Sequence, residues 1–224
     1  MLLLYFYRCN KTVLIMKNLA IFLGMSLSIL SLSNVQAQNN ADSKMTSHEL
    51  SIVVPEVALL DIFDANQGTE AGAITLDMSN SNTREAGKYP INGVTYENLY
   101  LNYTSVTSNN GSGFDVTRQI NVQMEPGSAF PQSLDLRITP APPQIISGGG
   151  NSNTAGNIVS GGVALGTTTP VGTDALLINS IESVYTGDQA YGVKLTYSLE
   201  QNGNFESYQA GLYQASLRYT ISDF

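Results

Sequence analysis

The sequence predicts an all-β protein, a single immunoglobulin-like antiparallel β-sandwich that follows an N-terminal signal peptide. Apolar residues alternate with polar ones in nearly every segment after residue 48, which is the pattern of strands that bury one face. No segment carries a convincing apolar stripe at the helical spacing of about 3.6 residues. The connections are rich in Gly, Asn, Ser and Thr, so short strands joined by turns are expected.

The predicted signal peptide covers residues 1–37. Lys17 supplies a positive charge, residues 19–32 form an apolar run, and Val35-Gln36-Ala37 is a small-x-small cleavage site. The run is shorter than the ~20 apolar residues of a membrane-spanning helix, so no stable span is expected after cleavage. A retained N-terminal anchor is the alternative. Met16 is the expected true start, because the residues before it add an apolar run that export does not need.

Cleavage after Ala37 leaves a flexible leader, residues 38–46, and one domain, residues 47–224, which is long enough to bury a core. The single cysteine, Cys9, precedes the cleavage site, so the exported domain must be stable without disulfides. The chain holds 18 acidic and 10 basic residues, for a net charge of −8, and cleavage removes basic residues. This acidic balance disfavours nucleic acid and anionic lipid as partners.

Leu50, Ile52 and Val54 form the first predicted strand, which Pro55 interrupts. A turn at residues 201–204 (QNGN) separates the last two strands. Residues 140–172 contain Pro-Pro and a triple Gly, and are expected to be a long functional or mobile loop with a short strand within residues 158–165. The remaining alternating stripes predict strands at residues 99–104, 120–124, 134–139, 193–200 and 213–221.

The sequence offers little for catalysis, and the protein is predicted not to be an enzyme. His48 is the only histidine and is expected to be exposed, although a Ser-His-Asp triad built on it is formally possible. No nucleophile elbow, phosphate loop or dinucleotide fingerprint is present. An exported hydrolase is the third-ranked function, since a carboxylate pair for glycoside hydrolysis could come from two distant strands.

Residues 61–70 (DIFDANQGTE) are rich in oxygen atoms that can bind a cation. Asp61, Asp64, Asn66 and Glu70 are the candidate calcium ligands, and no other cofactor is expected. Gly68 stands where a helix-loop-helix calcium site would place a ligand. A turn built from polar residues explains the same composition.

Twelve tyrosines and no tryptophan suggest, as one hypothesis, a face on which glycans stack. Tyr100 lies on the polar side of its predicted strand. Four other tyrosines lie on apolar stripes and are expected in the core: Tyr103, Tyr197, Tyr213 and Tyr219. The glycan-binding hypothesis therefore depends on few residues.

The C-terminal stripe resembles the closing strand of chaperone–usher pilus subunits, which have a glycine fourteenth from the end followed by alternating apolar residues. Gly211 is fourteenth from the end, and the alternation from Tyr213 to Ile221 follows it. Asp223 holds the penultimate position, where those subunits have tyrosine, and their common cysteine pair is absent. The resemblance covers about one strand.

A broader resemblance rests on residues 54–61 (VPEVALLD), 101–105 (LNYTS), 185–187 (YTG) and 195–199 (LTYSL). These look like strings in secreted proteins of flavobacteria-type organisms. The resemblance implies a β-fold without an assigned activity. It also implies export from a Gram-negative cell, to the periplasm, the cell surface or the medium.

The first functional hypothesis is a fimbrial or matrix-like surface subunit that pairs strands with itself or with other subunits. Its N-terminal donor would be residues 38–54, although the same stretch is more simply the first strand of its own domain. The alternative is a monomeric extracellular module that binds glycan or calcium through residues 61–70 or 140–172. The residues predicted to pair strands are Leu50, Ile52, Val54, Gly211, Tyr213, Leu217, Tyr219 and Ile221.

Overall fold

A computed structural model describes residues 47–81, 85–87, 91, 93–108, 116–207 and 209–223. The predicted signal peptide and leader lie outside these residues. The chain divides into two units, Met1–Ile52 and Val53–Phe224. Residues 47–52 of the first unit have no regular secondary structure and are exposed. In the described part of the chain, no helix is both long enough and apolar enough to cross a membrane.

Eleven strands are present among the described residues, together with two single-turn 3-10 helices at Met78–Asn80 and Phe205–Ser207. In chain order, the strands are β1 (Val57–Asp64), β2 (Thr69–Glu70), β3 (Thr95–Val106), β4 (Arg118–Met124), β5 (Leu134–Pro140), β6 (Asn157–Ile158), β7 (Val163–Gly166), β8 (Asp174–Ile181), β9 (Val184–Tyr185), β10 (Val193–Gln201) and β11 (Leu217–Asp223).

The strands form two antiparallel sheets that pack around one core. The first sheet has the order β2-β1-β3-β10-β5-β7, and β9 pairs with Thr104 and Ser105 of β3. The second sheet has the order β11-β4-β8-β6. The prediction of an all-β antiparallel sandwich is therefore confirmed, and the immunoglobulin-like topology stays a prediction.

The core forms from the side chains that the period-two alternation directs inward. On β3, Leu99, Leu101 and Tyr103 are 2%, 0% and 3% exposed. Strands β4, β5 and β10 contribute the same kind of stripe to one continuous cluster, whereas β8, whose pairing with β4 is irregular, buries the adjacent Leu177 and Ile178. Its buried members on the other long strands are Ile120, Val122, Met124, Leu136, Ile138, Leu177, Ile178, Ile181, Val193, Leu195 and Tyr197.

The predicted long loop is ordered by contacts with the sandwich. Strand β5 ends at Pro140, so residue 140 belongs to a strand rather than to the loop. The short strand predicted within residues 158–165 is present as two pieces, β6 and β7. The buried Tyr103 hydroxyl donates to the carbonyl oxygen of Ala155 at 2.5 Å, and the Gln144 and Gly192 backbones exchange hydrogen bonds of 2.7 Å. These bonds place the loop backbone on the core.

Candidate functional site

Among the described residues, the outer edges of β1 and β11 lack a full partner. Strand β1 pairs with β3 along its whole length on one side. On the other side, β2 covers only Phe63 and Asp64, and the Ala71 amide adds one bond to the Ile62 carbonyl oxygen at 2.7 Å. Strand β11 pairs with β4 alone. Free strand edges can accept a further strand by backbone hydrogen bonding.

A groove opens between these two edges, with a volume of about 350 Å³. Half-buried apolar side chains line it: Leu60 and Ile62 from β1, and Leu217 and Tyr219 from β11. The polar lining comes from Asp61, Glu125 and Arg218. We call this groove, with its two strand edges, the β1–β11 seam.

The first predicted strand, at Leu50, Ile52 and Val54, is not formed. These side chains are 73%, 77% and 72% exposed, and Val53 between the last two is 88% exposed. The first strand begins at Val57, beyond Pro55, whose nitrogen cannot donate to a ladder. The interpretation of this stretch as the first strand of its own domain is therefore wrong. Its apolar side chains are available for contacts elsewhere.

The C-terminal stripe is shorter than predicted. Leu217, Tyr219 and Ile221 lie on β11 opposite Met124, Val122 and Ile120 of β4. Gly211 and Tyr213 precede the strand, and both are exposed. The predicted core position of Tyr213 is therefore wrong, and its hydroxyl donates to the Gln209 carbonyl oxygen at 2.9 Å. Gly211 and Tyr213 do not lie on a strand, so the predicted strand pairing through these two residues is not formed.

A buried arginine joins the ends of both sheets, and the sequence analysis did not single it out. Arg118 is 3% exposed, and its Nε donates to the Asp223 carboxylate at 2.8 Å. Its Nη1 donates to the carbonyl oxygens of Val57 and Val106 and to the Ser105 hydroxyl. The sequence contained a signal for this burial, because Arg118 precedes Ile120 and Val122 by two and four residues and therefore lies on the same inward face of β4. Asp223, at the penultimate position, thus pairs with Arg118, which is the one basic residue among the inward-facing residues of β4.

A buried carboxylate, that of Asp135, holds two loops to β5. It accepts hydrogen bonds from the Thr167 and Thr168 amides at 2.6 and 2.9 Å. It also accepts from the Thr168 hydroxyl at 2.5 Å and from the Asn202 amide at 2.7 Å. Burial raises the pKa of Asp135, but these hydrogen bonds outweigh burial and bring the pKa below its ordinary value of 3.8. Parity predicts an exposed Asp135, so only the loop packing explains its burial.

The four predicted calcium ligands do not assemble into one site. Asp61 is exposed, whereas Asp64, three positions along the same strand, is buried on the opposite face. The carboxylate of Asp64 is occupied, because it accepts from Tyr96, Gln67 and the Asn66 amide. Burial raises the pKa of Asp64, but these hydrogen bonds lower it by a larger amount. The pKa of Asp64 is therefore below its ordinary value. The segment is a hydrogen-bonded turn, which was the alternative interpretation.

Tyrosines contribute mainly to the core. Tyr197 is 2% exposed, and its hydroxyl shares a 2.5 Å hydrogen bond with that of Tyr219 across the two sheets. Burial raises the pKa of Tyr197 to about 12 and raises that of Tyr219 well above its ordinary value. Tyr100 is half-buried, and Tyr185 and Tyr191 are exposed. Among the described residues, Tyr185, Tyr191 and Tyr213 are exposed, so the glycan-binding hypothesis depends there on three tyrosines.

No group of three or more His, Cys, Asp or Glu side chains among the described residues could hold a metal ion. His48, the candidate for a catalytic triad, lies in the exposed residues 47–52. Comparison of the chain with protein families, with curated proteins and with solved structures gives no match.

Proposed function

We propose that this protein is an exported structural subunit of a bacterial cell surface that assembles by strand addition between copies. Residues 48–54 of one copy would add as a strand to the β1–β11 seam of the next. The observation that carries the proposal is an alternating apolar segment left exposed in a protein whose β1 and β11 edges are open and flank an apolar groove. Export rests on the predicted signal peptide alone.

The segment and the seam have complementary patterns. Leu50, Ile52 and Val54 alternate with Glu49 and Ser51, so an extended chain directs the three apolar side chains to one side. The groove presents half-buried apolar side chains from both of its edges, with polar groups beside them. Added as a strand, the segment would form backbone hydrogen bonds with an edge and place its apolar side in the groove.

Burial of the three exposed side chains favours association and is of the same size as the cost of bringing two copies together. Each contributes roughly 1.5–3 kcal/mol when it moves from water to an apolar site. Association costs a comparable amount in lost translational and rotational freedom, so the contact of a single pair of copies is expected to be modest. A polymer in which each copy is both donor and acceptor multiplies such contacts.

The test is the Ile52→Asp variant, examined by light scattering of the purified protein over a range of concentrations. Loss of the central apolar contact removes roughly 2–3 kcal/mol, which corresponds to an affinity about 30- to 150-fold weaker. The variant is expected to stay monomeric at concentrations where the natural protein forms oligomers. Its circular dichroism and melting temperature should not change, because Ile52 is exposed in the monomer.

Ser51→Asp is the matched control, since it introduces the same charge one position away on the polar side of the segment. It should assemble like the natural protein. A natural protein that is monomeric at every concentration, or an Ile52→Asp variant that still assembles, would refute self-assembly through this segment. Unfolding of the Ile52→Asp variant would instead show that the segment packs in its own domain.

A further inference from the structure

A small depression lies on the outer face of the first sheet, away from the β4–β11 sheet. It has a volume of about 200 Å³ and is lined by side chains of β1 and β3 and by the loop after β9. Asp61 of β1 stands directly opposite Asn102 of β3, and Leu59 stands opposite Thr104. Asp188 closes the depression from the loop. Directly opposite residues have Cβ atoms about 4.5–5.5 Å apart, so the Asp61 and Asn102 side chains are neighbours.

Asn102 has an oxygen atom without a partner. Its side chain is 5% exposed, and its Nδ2 donates to the carbonyl oxygens of Gly187 and Tyr191 at 3.0 and 3.1 Å. Both partners only accept, which fixes the amide orientation and identifies the remaining atom as Oδ1. This Oδ1 is buried and has no hydrogen-bond donor. A buried acceptor left unpaired is costly, so its presence points to a bound group.

The other groups around the depression are also oxygen donors. Asp61 and Asp188 are both exposed, and none of the described residues that line the depression is basic. One carboxylate oxygen of Asp188 accepts from the Gln189 amide at 2.7 Å, which leaves the second oxygen for a ligand. Thr104 adds a hydroxyl. Two carboxylates, an amide oxygen and a hydroxyl form the hard oxygen set that divalent cations prefer.

We propose that this depression is a calcium site in which Asp61, Asn102 Oδ1 and Asp188 are the protein ligands. Oδ1 has almost no accessible surface, so a sugar ring cannot contact it. A bare cation, which is smaller than a water molecule, is therefore favoured as the ligand. Calcium fits better than magnesium, since it accepts irregular geometry and loses its hydration water more readily. The site shares only Asp61 with the set predicted from residues 61–70. Asp61 also lines the β1–β11 seam, whereas Asn102 and Asp188 do not, so the Asp188 variant tests the calcium site separately from strand addition.

The test is thermal unfolding and calorimetric titration of the purified, chelator-treated protein with calcium chloride. Exposed extracellular calcium sites have dissociation constants of about 10⁻⁴–10⁻³ M. Linkage then predicts that 10 mM calcium raises the melting temperature by about 5 °C, and that 10 mM magnesium has a much smaller effect. Calcium should also slow hydrogen exchange at residues 187–191, because it ties this loop to the sheet.

Three variants separate this site from the alternatives. Asp61→Asn and Asp188→Asn should each weaken calcium binding at least about 10-fold, and both residues are exposed, so folding is preserved. Glu70→Gln, from the set that the sequence predicted, should bind like the natural protein. The proposal is overturned by the absence of a calcium shift, by an equal shift in sodium chloride of matched ionic strength, or by an unchanged response in Asp188→Asn.

Discussion

Replacement of Asp135 tests how much its buried, hydrogen-bonded carboxylate contributes to the free energy of unfolding. In Asp135→Asn, one oxygen remains to accept from the Thr167 and Thr168 amides, and an NH₂ group replaces the other. That NH₂ would face the Asn202 amide and the Thr168 hydroxyl, which now donate to the same carboxylate oxygen at 2.7 and 2.5 Å. The hydroxyl can turn to accept from the NH₂, but the Asn202 NH₂ group has no lone pair to accept with. One charge-assisted bond becomes a contact between two donors, and the remaining bonds lose their ionic strengthening. We expect the free energy of unfolding to fall by roughly 2 kcal/mol for Asn and roughly 4 kcal/mol for Ala.

The pH dependence provides a second readout of the same residue. The pKa of Asp135 is lower in the folded protein than in the unfolded chain, so its contribution is fully present above the ordinary pKa of 3.8. That contribution is lost as the pH falls through 3.8 towards the lower folded pKa. The natural protein should therefore lose more stability between pH 5 and 3 than Asp135→Asn does, since the amide does not titrate over that range.

Urea unfolding, followed by circular dichroism at pH 7, 5 and 3, measures both effects. Asp174→Asn is the matched control, because Asp174 is an exposed aspartate at the start of β8 and its replacement should change stability by less than about 0.5 kcal/mol. An Asp135→Asn variant as stable as the natural protein at pH 7, with the same dependence on pH, would refute the reasoning. It would mean that water replaces the carboxylate at no cost.

Three further outcomes follow from the packing. Arg118→Met should lower the free energy of unfolding by about 2–3 kcal/mol in urea titrations, because it removes the donor of the buried Ser105 hydroxyl and of the part-buried Val106 carbonyl oxygen and leaves the half-exposed Asp223 carboxylate to water; an unchanged midpoint would contradict this. Gly192→Ala should lower the free energy of unfolding by at least ~2 kcal/mol in the same assay, since φ of Gly192 is +73° and a Cβ would lie 2.2 Å from the Leu101 carbonyl oxygen. An unchanged free energy would mean that β3 and the start of β10 can move apart without cost. Above pH 10, tyrosines of the unfolded chain ionise, whereas Tyr219, whose hydroxyl contacts that of Tyr197 between the sheets, stays neutral, so stability falls as pH rises. Tyr219→Phe should reduce that fall by about 1 kcal/mol between pH 10 and 11, and an unchanged slope would contradict the raised pKa.

Alternation predicted the sandwich strands well wherever a strand has both a paired ladder and one buried face. Leu99, Leu101 and Tyr103 are buried as their parity requires. The same parity, extended by two residues, would have placed Arg118 inside, but the sequence analysis did not extend it, and the partners of Arg118 on other strands are many residues away in sequence. The rule failed at Leu50, Ile52 and Val54, because alternation shows that a segment can bury one face but not that its own domain provides a partner.

The sequence by itself determined the fold class, the main core stripes and the acidic balance, since these depend on local composition and on the period of two along one strand. Only the tertiary structure decided which polar residues meet. Asp61 was a candidate ligand from sequence, but Asn102 and Asp188 lie beside it only through strand pairing and the return of a loop. Asp61 and Asp64 are close in sequence yet lie on opposite faces, because successive side chains of a strand alternate.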